Sequence, residues 1–331
     1  MLRVGPSLAD EIKSQLLRRS ALHFSICNPF CALCESAVIN PEYTSSLDME
    51  VPMTPQAIGS VTALWRYPVK SMMGEELNAA EVTSCGLLGD RAYALVDAET
   101  GKVASAKNPK KWPNLFSFRA AYIEPPRLGE DIPPVRITLP DGRMVRSEDP
   151  GIDKTLSRAL GREVKLSRAT AKPSLEEYWP NIDGLTHRET VTDESLPEGA
   201  FFDAAVVHVL ATSTIDLLRE AYPEGRFEIR RFRPNVVLQL SSKQGDFIEN
   251  GWVGGALAIG SEVRLNILGP CPRCVMTTLA QGDLPQDLGI LKTAVKYNHA
   301  NVGAYASVIK TGSIRRGDLV NPEQAISAVA V

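Results

Sequence analysis

The stretch RAYALVDAETGKVASA, at residues 91–106, decides the class of fold because it has the pattern of a β-hairpin. Its two strand-like runs, at 92–96 and 102–105, enclose a Glu-Thr-Gly turn. Turn residues between short runs rich in β-formers are typical of hairpins. The stretch therefore predicts antiparallel strands early in the chain.

Similar short runs continue along the chain. They are SVTALWRYPV, LNAAEVTS, VRITLPDGRMVRS with Asp141-Gly142 at its tip, AVVHVLA, FEIRRFRPNVVLQL, SEVRLNIL, RCVMTT and VGAYASVI. From about Ile58 onward, helical periodicity is confined to 152–161, 213–222 and 287–298,. Because strands do not alternate regularly with long helices, a doubly wound sheet is disfavoured. The predicted class is mainly β, or α+β, with a barrel-like body and a few helices.

Composition limits the classes of function. The 331 residues carry 36 basic and 39 acidic side chains, a net charge of −3, which argues against a broad nucleic-acid-binding surface,. No apolar run reaches the length that spans a membrane,. Six cysteines are too few for a secreted disulfide scaffold, so a reducing, cytoplasmic location is expected,. The four histidines lack metal-binding spacing, which disfavours a histidine-rich zinc or iron site,.

The stretch GPCPRCVMTT, at 269–278, contains Cys271 and Cys274 with two residues between them. A zinc ribbon needs two such pairs, and the only other closely spaced cysteines lie in residues 1–55, so a zinc ribbon is disfavoured,. A thioredoxin-like dithiol needs a helix after the motif, whereas VMTT has β-type residues,. The residues alone leave two readings: a pair of partly buried cysteines at the start of a strand, or one thiolate that holds something else.

Residues 1–55 differ from the rest. LADEIKSQLLRRSAL could form a short helix, but INPEYTSSLDMEVPMTPQ is rich in turn residues and lacks apolar periodicity,. They are expected to be a disordered or non-native extension or a targeting segment. Alternatively, translation truly starts at Met49 or Met53, and the residues before that start are an artefact. Cys27, Cys31 and Cys34 within residues 1–55 have the C-x3-C-x2-C spacing of a radical-SAM cluster loop,. That loop belongs to a parallel α/β barrel, which this chain does not predict, so coincidence is favoured.

Compact basic motifs lie at predicted strand edges. They are YPVKS with Lys70 and Ser71, GDRAY with Arg91, and RRFRPNVVL with Arg231 and Arg233. A solvated surface charge is the simplest interpretation of each motif alone. If a thiolate held a soft metal that carries an anionic organic cofactor, however, such residues would converge on it.

Taken in order, five motifs resemble the MOSC family, and within it the mitochondrial amidoxime reducing components and their bacterial relatives. They are LWRYPVKSMMGEEL, GDRAYALVDAETGKVASA, RFRPNVVL, CPRCVMTT and GAYASVIKTGSIRRGDLV. The resemblance covers about residues 58–320. It implies an N-terminal MOSC β-barrel subdomain at 56–150 and a MOSC domain at 151–325, after the extension at 1–55.

The resemblance implies binding of the molybdenum cofactor. Cys274 would be the catalytic residue and the protein ligand of molybdenum, with Cys271 only a neighbour. The cofactor-binding positions that match are Lys70, Ser71, Arg91, Arg233, Asn235, Arg273 and Tyr305. Relatives often have Thr-Ala-Arg where this chain has Ser105-Ala106-Lys107; lysine keeps the charge but loses bidentate geometry, so no site role is expected there,.

The implied activity is reduction of small N-hydroxylated substrates. Electrons would come from a separate ferredoxin- or cytochrome b5-type protein, because no cluster-binding ferredoxin motif follows residue 320. The alternative is a cofactor carrier or a sulfur-transfer module that uses a persulfide. The pyridoxal-phosphate domain that would make the persulfide is not found, which lowers that alternative. A β-barrel protein without a cofactor is the third interpretation.

Overall fold

The fold is mainly β. The computed structural model describes residues 57–170, 174–179, 190–197, 199–242 and 246–323. Across these ranges the chain forms eighteen strands and four α-helices, so the predicted class is confirmed. The extension and its three cysteines lie outside the described residues.

The elements are numbered in chain order. The strands are β1 (Gly59–Arg66), β2 (Glu75–Leu77), β3 (Ala79–Thr83), β4 (Gly86–Leu87), β5 (Tyr93–Asp97), β6 (Arg119–Tyr122), β7 (Val135–Thr138), β8 (Met144–Arg146), β9 (Val164–Arg168), β10 (Ser174–Tyr178), β11 (Thr192–Leu196), β12 (Val207–Ala211), β13 (Val236–Leu240), β14 (Ala256–Ile259), β15 (Val263–Pro272), β16 (Asn301–Lys310), β17 (Gly312–Arg315) and β18 (Leu319–Glu323). The helices are α1 (Ile152–Leu160), α2 (Thr212–Ala221), α3 (Ile229–Phe232) and α4 (Gly289–Asn298). The three predicted helices correspond to α1, α2 and α4.

Seven strands close into a barrel. Their order is β13-β12-β16-β15-β14-β18-β1, and β1 pairs again with β13. Neighbours are antiparallel except β12 and β13, which are parallel and are connected through α2 and α3. Closure pairs both edges of the sheet, which removes the open edge that a flat sheet would expose.

The strand sequences explain which way their side chains face. β15 alternates buried and more exposed positions along its ten residues, as a strand with one face on a core must,. Inside the barrel lie aliphatic side chains such as Val61, Leu238 and Leu265. Burial of each contributes roughly 1.5–3 kcal/mol. β12 is buried throughout, since α2 and α4 pack outside it through a second apolar cluster.

A further apolar cluster lies under the remaining strands. β5 pairs with β9, and β6, β7 and β8 form a three-stranded sheet. Met72, Phe116, Phe118 and Leu156 are buried together there. This cluster supports the segments that carry Lys70 and the residues after β5.

The two predicted segments share their sheets. β1, from the segment predicted at 56–150, pairs with β13 and β18. β3, from the same segment, pairs with β17. Strands near the start of the described chain therefore complete sheets formed near its end.

Two strand predictions are wrong. β15 ends at Pro272, and Val275–Thr278 is a 3₁₀ turn because the hydroxyls of Thr277 and Thr278 donate to carbonyls three residues earlier,. In FEIRRFRPNVVLQL, Ile229–Phe232 forms α3, and the strand begins at Val236.

The predicted hairpins are present. β7 and β8 flank Gly142, whose φ is 85°. In the opening stretch, Val96 pairs with Val103 through an isolated bridge, and the longer partner of β5 is β9. The second predicted strand is thus shorter than expected.

Gly303, in β16, is required by close packing. A Cβ there would lie 2.3 Å from His208 Nε2 and 2.6 Å from the Val209 oxygen, at a φ of 82°. We expect Gly303→Ala to lower the free energy of unfolding by about 2–3 kcal/mol, through strain and overpacking. Gly101, at φ 70° with nothing near its Cβ position, gives the matched control. Equal losses for Gly303→Ala and Gly101→Ala in urea denaturation would contradict the packing argument.

Candidate functional site

Cys274 lies just after β15 and begins the 3₁₀ turn. Its carbonyl accepts hydrogen bonds from the Thr277 amide at 3.2 Å and the Thr277 hydroxyl at 3.0 Å. The residue is half-buried. Burial raises the pKa of its thiol, while Lys107 acts in the opposite direction. A free thiol here is therefore protonated, and a bound cation would favour the thiolate.

Cys271 is fully buried beside Arg273 and Tyr305. The Arg273 guanidinium approaches the Cys271 sulfur at 2.7 Å and donates to the Phe232 carbonyl at 2.8 Å. Its buried Nε has no hydrogen-bond partner in the described structure. Burial, then the charge of Cys271, holds the pKa of Tyr305 well above its ordinary value. Cys271 thus contacts the predicted cofactor residues but faces away from solvent.

Two predicted arginines stack on one ring. The guanidinium of Arg233 lies 4.1 Å from the centre of the Tyr67 ring, and that of Arg91 lies 4.8 Å from it. Arg233 also donates to the Met72 carbonyl at 2.6 Å. Burial, and next the charge of Arg91, lowers the pKa of Arg233 to about 10. Two like charges are thus held close together, an arrangement that a bound anion would stabilise.

Asp90 is the hydrogen-bond centre of this group. Its carboxylate accepts from the Tyr67 amide at 2.6 Å and from Asn235 Nδ2 at 2.8 Å, and it pairs with Arg91. Asn235 also accepts from the His208 amide at 3.1 Å. Asn235 therefore braces β13 against β12 and orients Asp90.

Lys70 and Lys107 share carboxylates. Lys107 Nζ lies 2.8 Å from Glu176, 2.7 Å from Glu194 and 3.4 Å from Asp203. Lys70 Nζ lies 3.2 Å from Glu176 and also pairs with Asp203. Burial opposes the charge of Lys107, but these carboxylates hold its pKa well above the ordinary value. The charge of Lys70 is thus already balanced by protein groups, unlike that of Arg233.

Left-handed backbone conformations cluster at the predicted site. Among the described non-glycine residues, φ is positive at Ser71, Arg91, Arg233, His299 and Ala300. The first three are predicted cofactor residues, and the Ala300 carbonyl accepts from the Arg273 amide at 2.8 Å. Such conformations cost about 1–3 kcal/mol each and concentrate at functional sites.

The structure groups the predicted residues into connected sets. Arg91, Arg233 and Asn235 meet at Tyr67 and Asp90, and Arg273 and Tyr305 meet at Cys271. Ser71 accepts from the Ala106 amide at 3.1 Å, which ties it to the turn that carries Lys107. Electrostatic effects on the Tyr67 pKa come from Arg233, Arg91 and Arg273, so the two sets are neighbours.

Sequence reasoning missed several residues near Cys274. Lys107 acts electrostatically on the thiol, and so does Asp203. Burial, and next Cys274, raises the pKa of Tyr178. The departure from Thr-Ala-Arg marks Lys107, but the loss of bidentate geometry predicts no site role for it,. No motif in the sequence around β10 indicates that this strand lies at the site.

His208 is expected to make the stability of the folded protein depend on pH. Burial, and next the charge of Arg273, lowers its pKa to about 3. His208 is therefore neutral in the folded protein, while an unfolded histidine takes up a proton near pH 6.5. Stability from this group is full above pH 6.5 and falls as the pH decreases toward 3, by a few kcal/mol.

We expect urea denaturation to show a loss of stability between pH 6.5 and 4.5 that is smaller in His208→Gln. Glutamine keeps a donor for the Val302 carbonyl, which lies 3.1 Å from His208 Nε2. The same pH slope in both proteins would count against this assignment.

Comparisons with known proteins bear on the family of the chain. The family model described as MOSC N-terminal beta barrel domain matches residues 58–158, and the MOSC domain model matches 197–321. Mitochondrial amidoxime reducing component 2 from Bos taurus is 26% identical over 80% of this chain and 83% of its own. The Homo sapiens protein of that name is 28% identical over 80% and 84%. Molybdenum cofactor sulfurase from Oryza sativa subsp. japonica is 25% identical over 78% of this chain and 32% of its own.

Two further observations bear on the site. In the described part of the chain, no three histidine, cysteine, aspartate or glutamate side chains are grouped as metal ligands. Among the helices described, none has the length and apolar character needed to cross a membrane.

Proposed function

The chain belongs to the MOSC family, and from that premise we propose that it is a molybdenum-cofactor-dependent oxidoreductase that reduces N-hydroxylated substrates. The observation that carries the proposal is the charge around Tyr67. The guanidinium groups of Arg91, Arg233 and Arg273 all act electrostatically on this ring, while the Asp90 carboxylate ion-pairs with Arg91. A half-buried thiol, Cys274, follows Arg273 in the chain.

The molybdenum cofactor fits these residues. Its anionic groups match the guanidinium charges of Arg233 and Arg273, which have no ion-pair partner among the described residues, and the buried Nε–H of Arg273 has no acceptor there,. A soft metal favours a thiolate ligand, which Cys274 would supply. Lys70 is a weaker candidate for holding an anion, because Glu176 and Asp203 already pair with it.

When bound, the cofactor supplies two-electron chemistry at a metal. Reduction of an N–OH group consumes two electrons and two protons, cleaves the N–O bond, and releases an amine-type product and water. Lys107 Nζ stays protonated and acts electrostatically on the Cys274 thiol, so its role here is to favour the thiolate. It is not placed to hold the substrate, because Glu176, Glu194 and Asp203 already pair with it. Asp203 and Glu176 orient that ammonium group.

The electron donor in this proposal is a separate ferredoxin- or cytochrome b5-type protein, in keeping with relatives that are named components. Those relatives are also named mitochondrial, so the cytoplasmic location stays a prediction.

The test is purification from a host that makes the cofactor, with a host that cannot make it as the control. We expect near-stoichiometric molybdenum, a fluorescent oxidised pterin, and reduction of benzamidoxime by reduced methyl viologen. Molybdenum without turnover would favour a cofactor carrier. Protein free of metal and pterin from the competent host would contradict the proposal, and a persulfide on Cys274 would then indicate sulfur transfer.

A further inference from the structure

Arg231 is a buried arginine that the proposed mechanism does not use. It lies on α3, and only 1% of its surface is exposed. All its hydrogen bonds go to main-chain carbonyls: Arg226 at 2.9 Å, Thr277 at 3.3 Å, Leu279 at 3.1 Å and Pro285 at 2.8 Å. The guanidinium therefore joins α3 to the segment that follows Cys274.

Burial of this charge is costly for a group whose bonds are all to neutral acceptors. Burial lowers the pKa of Arg231, with Asp287 acting against that effect. An apolar side chain of similar size would fill the space without that cost, since buried charges are often less stabilising than apolar replacements. What arginine adds is a rigid planar fork with several donors. Its directions match the four carbonyls, so the structure uses it to fix geometry.

The guanidinium group of Arg231 is linked to Cys274 by two successive sets of hydrogen bonds, through Thr277. Arg231 holds the Thr277 carbonyl, while the Thr277 amide and hydroxyl donate to the Cys274 carbonyl. We infer that Arg231 is a positioning residue that fixes the backbone of the turn and thereby the direction of the Cys274 sulfur. This role rests on the proposed function of Cys274 as the metal ligand.

The same short helix also places the other side of the site. The Phe232 carbonyl accepts from Arg273, and Arg233 follows in a left-handed conformation above Tyr67. A shift of α3 relative to the turn would thus change the distance between the thiol and the guanidinium groups. Arg231 sets that distance.

The first experiment compares Arg231→Lys with Arg230→Lys. Arg230 precedes Arg231 on α3, but it is half-buried and pairs at 2.6 Å with the exposed side chain of Asp283. Lysine at 231 keeps the charge and loses the fork. We expect Arg231→Lys to lower kcat for benzamidoxime by about 10–100-fold with KM changed less than threefold, because small misplacements cost this much. We expect Arg230→Lys to stay within about twofold of wild type.

The second measurement needs no cofactor. In protein from the cofactor-deficient host, iodoacetamide alkylation of Cys274 is followed by peptide mass. We expect its rate to change more than about threefold in Arg231→Lys, and to be unchanged in Arg230→Lys. If Cys274 of a folded Arg231→Lys protein were alkylated at the same rate as in wild type, the inference would be overturned. Because this readout is independent of turnover, it judges Arg231 even if the proposed reduction fails.

A second pair of variants keeps the test valid if Arg231→Lys does not fold. Thr277→Val removes the hydroxyl that reaches the Cys274 carbonyl, whereas Thr278→Val removes one that reaches the Val275 carbonyl at 2.8 Å. We expect only Thr277→Val to change the alkylation rate of Cys274. Equal rates for the two variants would contradict the two-step connection.

Discussion

Cys274→Ser is expected to lower N-hydroxyl reduction to below about one-thousandth of wild type, because a hard oxygen replaces the thiolate that a soft metal prefers. Molybdenum content should fall with it. Cys271→Ser is expected to retain at least about a tenth of the activity, since a serine oxygen can accept from Arg273 as the sulfur does,. The two variants change cysteines three positions apart in the same motif, so they separate a ligand from its neighbour.

The measurement is steady-state benzamidoxime reduction with reduced methyl viologen, together with metal analysis of each protein. Thermal unfolding of both variants shows whether either change acts through stability. Activity of Cys274→Ser equal to wild type would remove Cys274 as the ligand. Loss of activity in Cys271→Ser alone would assign the ligand to the first cysteine.

Asp90→Asn is expected to lower the free energy of unfolding by about 3–5 kcal/mol, because it leaves Arg91, whose side chain is only 15% exposed, without its charged partner,. The amide would also direct a donor at Asn235 Nδ2 or at the Tyr67 amide, which both now donate to the carboxylate. One substitution would thus break contacts among β1, β13 and the turn that holds Arg91.

Asp141→Asn is the matched control, since its partner Arg143 lies 2.8 Å away at the surface. We expect a change of less than about 1 kcal/mol there. Urea denaturation of the three proteins at pH 7 gives both values. A small loss for Asp90→Asn, similar to that of the control, would show that Asp90 is not the centre of the arginine group.

Local sequence was enough to predict the hairpin at β7 and β8, because Asp-Gly permits the positive φ found at Gly142,. It was also enough to predict α1, α2 and α4. It was not enough for the turn after Cys274. VMTT has β-type residues, but two threonine hydroxyls bond locally to carbonyls and override that preference,.

Part of the candidate site was predictable from the sequence, and there is a physical reason why the other part was not. Arg91 and Arg233 sit in motifs whose order carried the resemblance, and the structure does stack them on one ring. Glu176 and Asp203 could not be found in this way. Their position beside Lys107 depends on β10 and on the segment before β12 meeting across the molecule. Pairing over such distances leaves no local pattern.

The pairing of β1 with β13 and β18 has a consequence for synthesis of the protein. β1 leaves the ribosome early, but the strands that flank it are made more than 150 residues later,. Until then β1 can pair only at its end, where Leu64–Arg66 meets β2, and the rest of the strand has no native partner. Folding of the barrel must therefore be largely post-translational and slow, as for other topologies with distant contacts. Chaperone demand during translation, rather than stability of the finished protein, is then expected to limit its yield.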